Sequence, residues 1–484
     1  MRGRWNRVAR EVLLFLGAAL LWLAPLALHP TSVGLWRGGA YSDLLISHWP
    51  NAILLHRGVF EAGRIPLWNP SILSGTPFAA DPLSGMWYLP NWIAVLFPSA
   101  IAFNMLFWIH LTWAGWGAAR LARAEGVGGP SALVAGLAFA GAPKLIGHIG
   151  LGHLGLVEAV CWTPWLLLSA GTAVEALSDT GRVWLGRSAL SGAILGVTFL
   201  ADPRWSVPAA MAAVVYALAR IARSHKKREG SVAIGRLAGS AASSGMFALG
   251  IAAGLAIPLW EFLRLSTRAG LTEAERVALS FPLDRLSGIV VPDFGGWPEW
   301  LAYPGIAVLI LAVLALVGSN KGKAIFWWAV AIGGVLLALG SALPFYPAVS
   351  LLVPGISLLR VPARFLLLTS LALAILAGLG LQSILESRES ARSHKEILWA
   401  GLVASGLIVL IDGMSLGMTG AADPLLRARV LTGITLAVLA FAWLGVMRRG
   451  IVGPKVGTAG WVFLVCADLA LMAIATFRVV PASA

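Results

Sequence analysis

Two cysteines and only 12% charged residues in 484 set this sequence apart by what it is short of. Cys161 and Cys466 both sit inside apolar runs without CxxC spacing. That excludes a disulfide framework and a thiolate zinc site and leaves both as small core residues. No GxxxxGK[ST] run occurs and no basic loop is long enough to build a nucleotide domain, which excludes ATP or a nucleotide sugar as the source of energy. Internal repeats and low-complexity segments are also missing, which weighs against transporters made of inverted repeats. The scarcity of charge excludes a soluble globular chain, because 58% of the residues are hydrophobic.

What is present is a series of apolar runs of spanning length, near 11–29, 99–120, 130–146, 153–174, 188–202, 205–222, 237–259, 301–318, 324–342, 365–385, 397–412, 429–447 and 458–477. They are rich in Leu, Ala, Gly and Val and do not alternate with polar residues, so they read as helices and not as barrel strands. The expectation is an all-α polytopic membrane protein of about thirteen helices, a single transmembrane domain over 1–484. The start, MRGRWNRVAR before a long apolar core, has the charge pattern of a signal peptide without a clear cleavage site, and reads as a retained first helix.

Sorting the loops from a cytoplasmic N-terminus places the whole net charge of +14 on the inner side, as the positive-inside rule requires. A basic total of this kind is topology, and no nucleic-acid partner is expected. Inner loops are short and basic, the longest near Arg223–Arg236. Two long loops of mixed charge, 31–98 and 260–300, fall outside, so the chemistry of this multi-pass protein of the cell membrane belongs at the extracytoplasmic face.

An enzyme acting there without nucleotides needs an activated substrate already in the bilayer, and a lipid-linked phosphate donor meets that need. Asp43, a dozen or so residues beyond the first span, is the candidate general base for an acceptor hydroxyl. The competing reading is a solvated loop carboxylate or a helix N-cap. Arg360 and Arg364 in LLRVPARF, with Arg204 in LADPRW, are the candidates for holding a donor phosphate. Snorkelling to lipid headgroups is their alternative. The substrate pocket is assigned to His48, Arg57, Trp68, Asn69, His153, Asp202 and Glu158.

Glu158 and Asp468 lie within apolar spans, where acids are costly and either functional or paired with a partner such as Lys144. Asp81 precedes a proline and reads as a turn residue. His148 and His153 in HIGLGH are five apart among glycines that imply a loop, which is not metal-ligand spacing on a helix. No metal site is assigned, although a divalent Mg or Mn ion held by Asp43 and a second acid stays open.

The stretches YSDLLISHWPNAILLHRGVFEAGRIPLWNPSILSGTPFAADPLSGMWYLPNW, LARAEGVGGPSALVAGLAFA, HIGLGHLGLVEAVCWTPWLLL, LRVPARFLLLTSLALAILAGLGL and ADLAL together resemble the YfhO-like membrane proteins, placed with the GT-C glycosyltransferases. The first is the most specific. The resemblance implies a GT-C-like bundle, a polyprenyl-phosphate-linked sugar as donor, a glycan, polymer or lipid acceptor, and a catalytic Asp that falls on Asp43. ADPRW departs from the family, whose members tend to carry a His-Pro pair there. A transporter or flippase of lipid-linked sugars is the alternative, since it would use the same cationic outer pocket.

Overall fold

The computed structural model describes residues 2–178, 182–225, 234–292, 297–386, 391–419 and 424–482. The centre of the basic loop (226–233) and part of the second long loop (293–296) lie outside the described residues. The chain forms helices α1 (Arg2–Trp22), α2 (Ala100–Ala124), α3 (Gly129–Gly150), α4 (Leu154–Ala176), α5 (Val183–Ala201), α6 (Pro203–His225) and α7 (Ile234–Arg264). It continues with α8 (Ile306–Leu314), α9 (Lys321–Ala338), α10 (Leu366–Glu386), α11 (Ala391–Thr419), α12 (Pro424–Arg448) and α13 (Pro454–Thr476).

Among the described residues ten helices are long and apolar enough to cross a membrane. The other three, α1, α2 and α8, fall on runs read as spans: α1 begins with a charged turn, and α8 has only nine helical residues. In α8 the expected run 301–318 opens with extended residues 301–305. The fold is an all-α polytopic bundle. Helices suit this setting because each satisfies its own backbone hydrogen bonds where water is scarce.

Small residues let the helices meet. A Cβ on Gly380 of α10 would strike the Leu311 carbonyl of α8, and one on Gly192 of α5 would strike the backbone of Ser244 in α7. The centre is formed by α3, α4 and α10, each buried over most of its spanning length, while α7 and most of its peers keep an exposed apolar flank. Bare apolar flanks of this kind are what a bilayer covers.

One feature departs from the all-helical expectation. The C-terminal tail does not hang free: Phe477–Pro481 (β2) pairs antiparallel with Ser32–Trp36 (β1), Leu35 opposite Arg478. All five residues of β1 are buried, and Asn104 of α2 donates to the carbonyls of Pro30 and Ser32. This ribbon ties the start of the first loop to the end of the chain, at the end of the bundle where the long loops gather.

Candidate functional site

The site begins with a turn. Pro143 opens the second segment of α3, a position where its missing N–H is no loss. The helix carries Lys144 and His148 and closes before Gly152, whose φ of +74° reverses the chain toward His153. Thus HIGLGH is helical through Gly150, and a single left-handed glycine brings the two histidines together: Nδ1 of His148 lies 2.9 Å from Nδ1 of His153. A Cβ on Gly152 would also collide with Ser42 and Leu44 of the first loop, so this turn and the loop are fitted to each other.

Asp43 sits against that turn. Its backbone N–H donates to Leu151 O at 3.0 Å, and its carboxylate Oδ2 lies 3.5 Å from His153 Nε2. It does not act as a side-chain N-cap for the turn Leu44–His48, so the capping reading is not the one adopted. Burial raises its pKa above the ordinary 3.8, and the charges of Arg204 and Arg364 oppose that rise. His153 is held neutral: burial, joined by the Arg364 charge, lowers its pKa to about 3.

The sequence reading missed the residue that gathers this group. Glu299 lies in the second long loop, 2% exposed, and its Oε1 receives Nε and Nη2 of Arg364 at 3.1 and 2.8 Å. Its Oε2 lies 3.7 Å from Lys144 Nζ and 3.6 Å from His148 Nε2, while Lys144 also donates to the backbone carbonyls of Pro298 and Glu299. Burial alone would raise the Glu299 pKa, but the Arg364 charge first, with that of Lys144, outweighs it and holds the carboxyl well below the usual range. No local signal in PEW distinguishes this glutamate from any other loop acid.

The three arginines named from sequence line one cavity of about 160 Å³, with Leu156, Trp205 and Tyr346 among its walls. None is bare. Arg204 clasps Asp202 through Nε and Nη2 at 2.7–3.2 Å, Arg360 reaches Glu275 at 2.9 Å, and Arg364 holds Glu299. Arg360 still has a buried Nε–H without an acceptor among the described residues, and Val361 beside it is held at φ +62°, a costly position for a β-branched residue, before Pro362.

His48 is buried within reach of this group; burial first, then the Arg204 charge, lowers its pKa to about 4, against the opposing pull of Asp202. Asp202 is buried at the joint of α5 and α6; burial would raise its pKa, but the charge and hydrogen bond of Arg204 lower it.

Other assignments do not join the cluster. Arg57 and Trp68 are exposed, and Asn69 is buried as a turn residue: its Oδ1 accepts the N–H of Ser71 and its backbone pairs with Thr76. None of the three makes a hydrogen bond or ion pair to the Asp43 group among the described residues. The first loop folds back on itself there, so nearness in sequence does not become nearness in space.

Glu158 is fully buried in α4 beside Asn91 and without an ion-pair partner among the described residues, because Lys144 is taken by Glu299. Asp468 is structural, accepting Tyr303 Oη–H at 2.7 Å and the Ile306 N–H at 2.7 Å. Asp81 is the turn residue its proline implies, accepting from Leu83 N–H and Asn51 Nδ2.

The ligand-type atoms of His148, His153 and Glu299 converge within 4.8 Å. They do not fit a magnesium or manganese ion. Such ions take oxygen ligands, whereas two of these groups are imidazoles that share a hydrogen at 2.9 Å. The third is a carboxylate already balanced by Lys144 and Arg364. A dication there would stand beside the fixed charges of Lys144 and Arg364.

No family model matches the chain and no curated protein matches it, so the YfhO-like resemblance rests on the motifs quoted above. Among solved structures the chain is similar to ArnT from Cupriavidus metallidurans bound to undecaprenyl phosphate, with a TM-score of 0.49 and 14% identity over 96% of this chain and 76% of ArnT. It is also similar to the arabinofuranosyltransferase AftD from Mycobacteria, with a TM-score of 0.42 and 17% identity over 76% of this chain and 25% of AftD.

Proposed function

We propose that this chain is a GT-C-type membrane glycosyltransferase that moves a sugar from a polyprenyl-phosphate carrier to an acceptor hydroxyl at the extracytoplasmic face. The observation that carries the reading is a three-arginine cavity walled by apolar side chains, next to a partly buried aspartate whose charge Arg204 and Arg364 feel. An apolar wall suits a prenyl chain, and guanidinium groups suit its phosphate. The N-terminus is cytoplasmic in this reading, because the basic inner loops carry the net charge of +14.

The chemistry follows from charge. The acceptor oxygen attacks the anomeric carbon as Asp43 takes its proton, and the carbon–oxygen bond to phosphate breaks with both electrons leaving on the phosphate. Configuration inverts. Negative charge develops on the leaving phosphate, where fixed cations in a water-poor cavity lower the barrier most. Arg360 contributes an Nε–H donor that no group among the described residues accepts. The acceptor is a glycan, a polymer or a lipid.

The test is transfer of labelled sugar from a polyprenyl-phosphate hexose in proteoliposomes. Asp43→Asn should lower turnover about 1000-fold without loss of folded protein. Near-normal transfer in that variant would remove the reading. Label crossing the bilayer without covalent product would favour the flippase instead.

A further inference from the structure

Asp43, His153, His148 and Glu299 stand in a line, and the geometry restricts where its hydrogens can be. The separations are 3.5 Å from Asp43 Oδ2 to His153 Nε2, 2.9 Å between the two Nδ1 atoms, and 3.6 Å from His148 Nε2 to Glu299 Oε2. The central contact holds one hydrogen, carried by one ring. In a pair of neutral imidazoles, the ring that donates through Nδ1 has a bare Nε2, and the ring that accepts has its hydrogen on Nε2. Two arrangements therefore exist. Either His153 presents N–H to Asp43 and His148 opposes a lone pair to Glu299, or His148 presents N–H to Glu299 and His153 turns a lone pair toward Asp43.

Burial chooses between them. Glu299 is 2% exposed and His148 is fully buried, and neither Glu299 Oε2 nor His148 Nε2 has a hydrogen-bond partner among the described residues. At 3.6 Å, out of reach of bulk water, a ring lone pair turned to the carboxylate is repelled by it and an N–H turned to it is attracted. Asp43 is 34% exposed and can be solvated at its own end. Lys144 from α3 and Arg364 before α10 keep Glu299 an anion, and Arg204 with Asp202 completes the charges around His153. The hydrogen belongs on His148 Nε2.

We propose that Glu299 is a positioning residue which, through His148, fixes His153 with a bare Nε2 beside Asp43, so that the two side chains receive the acceptor's proton together. The inference rests on Asp43 being the base. The acceptor O–H bond breaks and its hydrogen passes to the Asp43 carboxylate, whose new O–H turns to the bare Nε2 of His153. His153 stays neutral and keeps its Nδ1–H on His148 Nδ1. The proton later leaves to water by the same route.

The experiment is ¹⁵N spectroscopy of histidine-labelled protein in nanodiscs, where protonated and bare ring nitrogens resonate far apart. The two signals are assigned by their loss in His148→Gln and His153→Gln. Expected are a hydrogen on His153 Nδ1 and on His148 Nε2, both reversed in Glu299→Gln, whose amide donates where the carboxylate accepted. A wild-type spectrum with the hydrogen on His153 Nε2 overturns the proposal even if no variant folds; so do tautomers unchanged by Glu299→Gln. In the transfer assay, His148→Gln should lower kcat about 100-fold with KM within about two-fold. If Asp43→Asn keeps its turnover, the functional reading falls and takes the relay with it. If Asp43→Asn is dead while His148→Gln and Glu299→Gln keep kcat, the relay alone falls.

Discussion

Each end of the bundle buries one glutamate among cations, and the two are finished differently. At the end opposite the long loops, Glu125 is fully buried between α2 and α3. It accepts Tyr216 Oη–H at 2.6 Å and Arg220 at 3.2 Å on one oxygen, and Arg223 at 2.8 Å on the other. Lys323 donates to its backbone carbonyl at 2.6 Å, and Arg220 also pairs with Glu175. Both carboxylate oxygens are satisfied. Glu299 has one oxygen locked by Arg364 and the other facing an imidazole nitrogen beyond hydrogen-bond distance. A closed network clamps helices; an open one leaves a charged oxygen free to orient the ring it faces.

The largest separation between the two ends should come from Glu125→Gln set against Glu299→Gln. Loss of the first carboxylate leaves Arg220 and Arg223 short of a counter-charge and should cost about 3 kcal/mol, read as a lower melting temperature in detergent, with kcat of the folded fraction unchanged. The second should remove turnover as well. Equal kinetic losses in both would end the distinction.

Next in size is Gly152→Ala. It places a side chain at φ +74° and against Ser42 and Leu44, so it should displace Asp43 from His153 and lower kcat at least about 10-fold while thermal stability also falls. A variant with normal kcat would show that the turn does not set the aspartate. Arg360→Ala should then lower kcat/KM for the polyprenyl-phosphate donor about 10-fold, with kcat falling too, as expected for one charge-assisted hydrogen bond that strengthens as the phosphate leaves.

Acid provides a graded test of the loop end. A raised Asp43 pKa means that base activity should climb with pH through a value above 3.8, and Asp43→Asn should abolish that limb. Stability has its own sign. His48 and His153 have folded pKa values of about 4 and about 3 against 6.5 unfolded, so below 6.5 the unfolded chain binds more protons. Their contribution is present above pH 6.5 and is lost as pH falls toward 3. The melting temperature should drop between pH 7 and pH 5, and less so in a His153→Gln variant. Smallest of all, Arg57→Ala and Trp68→Ala should change turnover by less than about two-fold, because both side chains are exposed away from the cluster.

Much of the loop end was legible in advance. Asp43, His153, Asp202, Arg204, Arg360 and Arg364 were selected as polar groups that a span-and-loop pattern strands at one face, and the fold places them around one cavity and one turn. Their carboxylate partners were not legible. Glu275 and Glu299 come from a loop 85 and 65 residues before the arginines they hold, a pairing only long-range folding sets. Arg57, Trp68 and Asn69 were drawn in by nearness in sequence to Asp43, and the local turn 69–76 carries Asn69 away from it. The pairing of His148 with His153 was not legible either, because a five-residue spacing shares no helix face and only the turn at Gly152, past the helix end, brings the rings together.

The all-helical membrane class, the order of the apolar runs and the polar character of the two long loops were determined by the sequence alone. Each depends on composition over about 20 consecutive residues and on the cost of placing charge in lipid. Which acid meets which base was decided only by tertiary structure. A buried ion pair is chosen by the geometry of helices packed at small residues, and that geometry depends on contacts between residues hundreds of positions apart.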